Sequence, residues 1–306
     1  MMKKILIRLL ATLLIAFLIS CATAPEVKPT KPNEAAFQKG PGKLITNDGL
    51  IATYQYFPST VKNASAIYLS GQGGQTSYKD DTSGGYTLAP NLNSAGFNFI
   101  ALDYAYNWVP GRSMSEQHKI AQARGKSGLI TFPTIDGKES GAENVVRNEI
   151  KAIIDFVEAS PLHDKEKGIY LIGDSIGSWY SLVTMRMFPQ SNIKGVVFLS
   201  PAVLSDWPEW KQPEKYPQLD AVGYLGSIVK VYGNRPGLAI GGSKDIIWQG
   251  YSTESAWDSA KFLRQKLGPN IELMEVTSSE HGFHLVESNP AVRQKIADWL
   301  TSKALK

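Results

Sequence analysis

The sequence has little cysteine and little histidine: one cysteine, Cys21, and four histidines among 306 residues. A single cysteine excludes a disulfide bond within the chain, and four histidines leave few candidates for a general base. The net charge is also small, at +4, and Lys3, Lys4 and Arg8 account for most of it. Because the rest of the chain is close to neutral, its composition does not predict nucleic-acid binding.

After this basic start, residues Leu9–Ile19 carry no charge. The run is shorter than the roughly 20 residues that span a bilayer, and it fits the apolar region of a secretory signal. It ends in Leu18-Ile19-Ser20-Cys21, which resembles the lipobox of bacterial lipoproteins. The resemblance implies that residues 1–20 are a signal peptide and that Cys21 carries a lipid anchor in a membrane. A cleaved signal followed by an unmodified cysteine is the alternative.

The residue after Cys21 is Ala22 and not aspartate, which by resemblance to Gram-negative lipoproteins favours the outer membrane, facing the periplasm. Residues 22–42 contain four prolines and little apolar content. This composition predicts that residues 21–42 form the anchor and a flexible tether. The remaining residues, 43–306, are long enough for one large domain, and nothing in them indicates an oligomeric state.

Within residues 43–306, apolar runs alternate with segments of helical spacing. The pattern predicts strands at 44–46, 50–56, 66–69, 97–102, 169–172, 195–199, 238–240 and 271–276, and helices over 142–158, 179–187 and 291–300. Such alternation predicts an α/β fold with a mostly parallel central sheet and helices on both faces. The long segments 104–141 and 201–236 do not fit it, and they are either packed surface loops or a cap over a site.

The segment Gly173-Asp174-Ser175-Ile176-Gly177 follows one of the predicted strands. A Gly-x-Ser-x-Gly turn between a strand and a helix can hold a serine hydroxyl at the tip of a sharp bend, because glycine tolerates close backbone approaches. The pattern therefore predicts Ser175 as a nucleophile. The alternative is a glycine-rich turn with an incidental serine.

A nucleophilic serine needs a base to take its proton. His118 and His163 lie in charged segments, where we expect solvated surface residues. His281 and His284 follow the last predicted strand, at the edge where open α/β sheets place their chemistry. Gly282 provides the turn that favours His281 as the base, and His284 is the alternative.

The base in turn needs an acid to orient it. Asp245 follows the predicted strand that ends at Gly241-Gly242, again at the expected edge of the sheet. It is the candidate acid, although a helix N-cap or a solvated loop residue is its alternative role. Asp220 and Asp258 are weaker candidates, since the first lies in the segment 201–236 and the second in a probable helix.

The order Ser175, Asp245, His281 resembles that of the α/β-hydrolase superfamily, over about residues 44–304. The resemblance implies an oxyanion hole of two backbone N–H groups. One belongs to Ile176, and the other comes from the loop Ser70-Gly71-Gln72-Gly73-Gly74, with Gln72 the expected donor and Gly73 the alternative. Many relatives carry histidine where this chain has Ser70, which leaves the second donor open.

In this superfamily the turn that carries the nucleophile is called the nucleophile elbow, and here it is Gly173–Gly177. Its central residue is Ser175, and Asp174 is only a neighbour, so the resemblance favours acyl transfer to water. The expected function is a serine hydrolase, carboxylesterase-like, that cleaves an ester or related acyl bond of a small-molecule substrate and requires neither a metal nor another cofactor. The alternatives are a peptidase or amidase with the same triad, and a non-catalytic binding lipoprotein on a hydrolase scaffold.

Overall fold

The structure is a computed structural model that describes residues 37–71, 83–105, 119, 132–247 and 252–304. Five residues singled out above lie outside the described residues: Cys21, Gln72, Gly73, Ala22 and His118. The signal peptide, most of the tether and most of the segment 104–141 lie outside them as well.

Eight strands form one sheet in the order β1-β2-β4-β3-β5-β6-β7-β8. Their bounds are β1 Gly40–Ile45, β2 Ile51–Phe57, β3 Ser65–Leu69, β4 Asn98–Asp103, β5 Ile169–Asp174, β6 Ile193–Leu199, β7 Gly237–Gly242 and β8 Ile271–Val276. The pairs β1–β2 and β2–β4 are antiparallel, and every other pair is parallel. The prediction of a mostly parallel sheet is confirmed.

The described helices include α1 Ala89–Ser94, α2 Gly141–Val145, α3 Lys151–Ala159, α4 Ile176–Met187, α5 Pro208–Lys211, α6 Ala221–Tyr232, α7 Ala256–Leu267, α8 Phe283–Ser288 and α9 Pro290–Ala304. A π-helical turn, Val146–Ile150, joins α2 to α3. In the described part of the chain, no helix is both long enough and apolar enough to cross a bilayer.

The sheet separates two apolar cores, because successive side chains of a strand point to opposite faces. On β5, Leu171 packs with one core, which includes Trp179 of α4, and Ile172 packs with the other, which includes Trp299 of α9. All of the β5 residues are buried, as expected of a central parallel strand covered on both faces.

The segment 201–236 contains α5 and α6, and α6 packs against α4. Its aromatic residues Trp207 and Tyr224 are buried in the core, where both contact the ring of Trp179. The observed packing therefore ties this segment to the body of the domain. Its role as a cap stays a prediction.

Candidate active site

The turn after β5 holds Ser175 in a strained conformation, with φ 54° and ψ −118°. A non-glycine residue rarely adopts a positive φ, and such strain is concentrated at functional sites. The two flanking glycines permit the turn, because a Cβ at Gly177 would overlap the carbonyl oxygen of Leu69 and one at Gly173 would overlap that of Gly177. Close packing of α4 against the end of β3 is thus the physical reason for the Gly-x-Ser-x-Gly pattern.

Asp245 and His281 follow β7 and β8, the two strands beyond β6 in the sheet order. Because β5, β6, β7 and β8 are parallel, their carboxyl ends lie at one edge, which brings both residues to the side of the sheet where Ser175 lies. Asp245 and His281, which lie 70 and 106 positions after Ser175 in the sequence, thus reach the same side of the sheet as the serine.

The imidazole Nδ1 of His281 lies 2.7 Å from Oδ2 of Asp245, within hydrogen-bond distance. The Asp245 carboxylate is buried, and the imidazole is partly exposed. Burial lowers the pKa of His281, but the hydrogen bond that its ring donates to Asp245, the negative charge of Asp245 and that of Asp174 outweigh burial and raise the pKa above its usual value. This pairing fixes the ring with Nδ1 toward the acid and Nε2 directed away from it.

Ser175, Asp245 and His281 line one cavity of about 470 Å³. Its volume falls within the range of small-molecule sites. Apolar side chains supply part of the wall, among them Ile246, Ile247 and Phe283. The arrangement can therefore bring a ligand with an apolar part against the serine and the imidazole.

The backbone N–H of Ile176, one predicted oxyanion donor, belongs to the first residue of α4. The first N–H groups of a helix have no acceptor within it, so they are available to other groups. Gln72, the second predicted donor, lies outside the described residues. Gly71, the last described residue before it, runs beside the serine, since a Cβ there would lie 3.1 Å from Cβ of Ser175.

The competing residues have other partners, although His284 lines the same cavity as His281. The Nδ1 of His284 lies 3.8 Å from a carboxylate oxygen of Glu287, and its ring packs on Phe283. Asp258 caps α7 together with Ser255, and Asp220 is the N-cap residue of α6. The structure thus shows a structural role for Asp258 and pairs Asp245 with His281.

The expectation for His163 is wrong. This residue is only 3% exposed, and its Nδ1 lies 2.9 Å from the hydroxyl of Ser65. Burial lowers its pKa. The charged neighbours Asp164 and Lys165 suggested a solvated loop, but the imidazole turns inward against the start of β3.

Sequence reasoning also passed over Asp174. Its side chain is buried at the bottom of the site, and burial raises its pKa to about 6 although neighbouring groups act to lower it. An acidic residue between Gly173 and the elbow serine was the available signal, since a carboxylate is seldom buried without a specific partner.

No model of a protein family matches the sequence, and no curated protein matches it either. Solved structures do resemble it. The esterase Pf2001 of Pyrococcus furiosus is 17% identical, with 91% of this chain and 98% of that chain covered and a TM-score of 0.54. The dienelactone hydrolase of Anabaena variabilis is 15% identical, with 87% of this chain and 97% of that chain covered and a TM-score of 0.52.

A third similar structure is XC6422 of Xanthomonas campestris, described as an α/β serine hydrolase without a lid. It is 14% identical, with 89% of this chain and 98% of that chain covered and a TM-score of 0.51. The fold is that of the α/β-hydrolases. At these identities the likeness extends to the fold, and the chemistry must be argued from the residues of the site.

Proposed function

We propose that this chain is a serine hydrolase that cleaves an ester or related acyl bond. The observation that carries the proposal is the Asp245–His281 pair, 2.7 Å apart, in the cavity that also exposes Ser175 at a strained turn. The similarity in fold to esterases and other hydrolases is consistent with it.

In the proposed reaction, Nε2 of His281 takes the proton of the Ser175 hydroxyl as the oxygen attacks the acyl carbonyl. The carboxylate of Asp245 accepts the Nδ1–H and stabilises the imidazolium that forms. Proton transfer to the leaving alcohol then yields an acyl-enzyme, which water cleaves by the same steps. The N–H groups of Ile176 and Gln72 would donate to the oxyanion, each contributing about 3 kcal/mol to lowering the barrier.

A fluorophosphonate probe tests this proposal, because it labels only a serine that is activated as a nucleophile. We expect one label per chain, lost in Ser175→Ala. Ser200→Ala is the matched control: Ser200 also has a positive φ, 42°, at the end of the neighbouring strand β6, but it is fully buried. A parent protein that takes up no label would favour the binding lipoprotein instead.

We also propose that Cys21 anchors the protein to the outer membrane, on the support of the Leu-Ile-Ser-Cys sequence alone. One acyl chain binds a membrane only marginally, and the several chains of bacterial lipoproteins give a durable anchor. Cys21→Ser should leave an unprocessed precursor without labelled palmitate. Equal labelling of the variant and the parent would contradict the proposal.

A further inference from the structure

The elbow and the loop that carries His281 meet at one side chain, that of Asp174. Its Oδ2 accepts a hydrogen bond from the backbone N–H of Phe283 at 3.2 Å and another from the hydroxyl of Tyr68 at 2.8 Å. Asp174 immediately precedes Ser175, and Phe283 is two residues after His281. One carboxylate thus links the segment of the nucleophile to the segment of the base.

The other carboxylate oxygen, Oδ1, contacts the same loop. A Cβ at Gly282 would overlap this oxygen, and Gly282 has φ +58°, so glycine allows the loop to lie directly on the carboxylate. Oδ1 is buried and has no hydrogen-bond partner among the described residues. A buried carboxylate with an unsatisfied oxygen is costly, and a residue kept only for the stability of the fold would not need one.

The charge of Asp174 also acts on the base. It contributes to raising the pKa of His281, after the hydrogen bond and charge of Asp245. Among the described residues, the titratable groups that act on Asp174 or feel its charge are Tyr68 of β3, Tyr104 after β4, and His281 and His284 of the last loop. Asp103 at the end of β4 acts on Tyr68 and Tyr104 in turn. Two carboxylates therefore stabilise the imidazolium, one in contact with the ring and one behind its loop.

We propose that Asp174 is a positioning residue that holds the loop of His281 against the nucleophile elbow. The inference rests on the proposed roles of Ser175 and His281. A displacement of about 1 Å of a catalytic group can lower the rate about 100-fold. A link that keeps the two segments in place would therefore preserve the rate of the reaction. The proposed role of Asp174 differs from that of Asp245, which orients the imidazole ring of His281 itself.

The test compares three variants of the full chain. Asp174→Leu removes both acceptors, Asp174→Asn keeps an amide oxygen for the Phe283 N–H but removes the charge, and Tyr68→Phe removes only the second hydrogen bond to Oδ2. We expect kcat for a p-nitrophenyl ester to fall about 100-fold in Asp174→Leu with little change in KM. The fall should be smaller but measurable, about 10-fold, in Asp174→Asn and slight in Tyr68→Phe.

Two readouts do not depend on turnover. Hydrogen exchange at the Phe283 amide should be at least about 10-fold faster in Asp174→Leu than in the parent. The imidazole of His281, followed by NMR, should titrate at lower pH in Asp174→Asn than in the parent. If the parent hydrolyses no ester, the proposed function fails, and these two readouts still decide the role of Asp174.

The proposal is overturned if folded Asp174→Leu keeps the parent's kcat or its Phe283 exchange rate. If Asp174→Leu does not fold, Asp174→Asn decides instead: an unshifted His281 titration together with an unchanged kcat would overturn the proposal. A rate in Tyr68→Phe as low as that in Asp174→Leu would also count against it, because the link to Phe283 is intact in that variant.

Discussion

Two sites in this sheet each contain a serine and a histidine, one at the amino end of β3 and the other at the carboxyl end of β5. Ser65 begins β3, and its hydroxyl lies 2.9 Å from Nδ1 of the buried His163. Ser175 follows the last residue of β5, at the opposite side of the sheet, and lines a cavity together with His281. The residue types are the same, yet burial lowers the pKa of His163, whereas the charge and hydrogen bond of Asp245 outweigh burial and raise that of His281.

The difference shows what a serine and a histidine need, besides their proximity, to form a catalytic site. Within the described residues no carboxylate is hydrogen-bonded to His163, and a ligand cannot reach a ring that is 3% exposed. The ring of His281 is within hydrogen-bond distance of the Asp245 carboxylate, and Ser175 lines a cavity. The third group and access from solvent separate a proposed catalytic site from a pair that packs the end of a strand.

The largest expected effect is the loss of the base. His281→Ala should lower kcat by roughly 10⁴-fold or more, much like Ser175→Ala, and the double variant should be hardly worse, because triad members act as a unit. Esterase assays of folded variants measure this. His284→Ala is the control and should keep most of the activity. An inactive His284→Ala beside an active His281→Ala would mean that the other histidine is the base.

The acid should matter nearly as much. In Asp245→Asn an amide can donate to Nδ1, which leaves the proton on Nε2 and removes the acceptor that Ser175 needs, so we expect kcat to fall by about 10³- to 10⁴-fold. Steady-state kinetics on the variant, with its fold checked by circular dichroism, would measure the loss. A rate within tenfold of the parent's would remove Asp245 from the triad.

The other pair should affect stability and not chemistry. His163→Ala leaves a cavity and an unpaired Ser65 hydroxyl, so we expect the free energy of unfolding to fall by about 2 kcal/mol. Urea denaturation measures this change. Below the transition, kcat should equal that of the parent. A folded His163→Ala variant with greatly reduced kcat would break the contrast between the two ends of the sheet.

The smallest effect is a difference in titration. Followed by NMR, the ring of His163 should titrate below the usual 6.5 and that of His281 above it. Unfolded His163 binds protons more readily than the folded form, so protonation favours unfolding, and this residue's contribution to stability should be lost as pH falls below about 6.5. For His281, kcat/KM should rise with pH through a pKa above 6.5, since the base must be neutral. The reverse order of the two titrations would contradict both assignments.

Local pattern alone predicted most of the fold. Each predicted strand overlaps an observed one. This is because a short apolar run bounded by turn residues indicates a buried strand, whatever the rest of the sequence contains. The turn Asn47-Asp48-Gly49 between β1 and β2 carries the residue types of a hairpin turn, and Gly49 adopts the positive φ, +84°, that favours glycine there. The Gly-x-Ser-x-Gly pattern was likewise recognisable as a turn, although the close approach of α4 to the end of β3 that requires Gly177 is a tertiary contact.

By itself, then, the sequence determined where the strands and the helices at 142–158, 179–187 and 291–300 form, but it did not predict α6, which lies in the segment 201–236. It also determined which residues reach the carboxyl ends of the strands: Ser175, Asp245 and the pair His281 and His284. Only the tertiary structure decided that Asp245 contacts His281, that His163 turns inward, and that Asp174 joins the elbow to the last loop. Periodicity and turn residues act over a few positions, whereas these contacts join residues 36, 98 and 109 positions apart. Such contacts depend on how the strands are ordered and packed in the sheet, which no short stretch of the chain encodes.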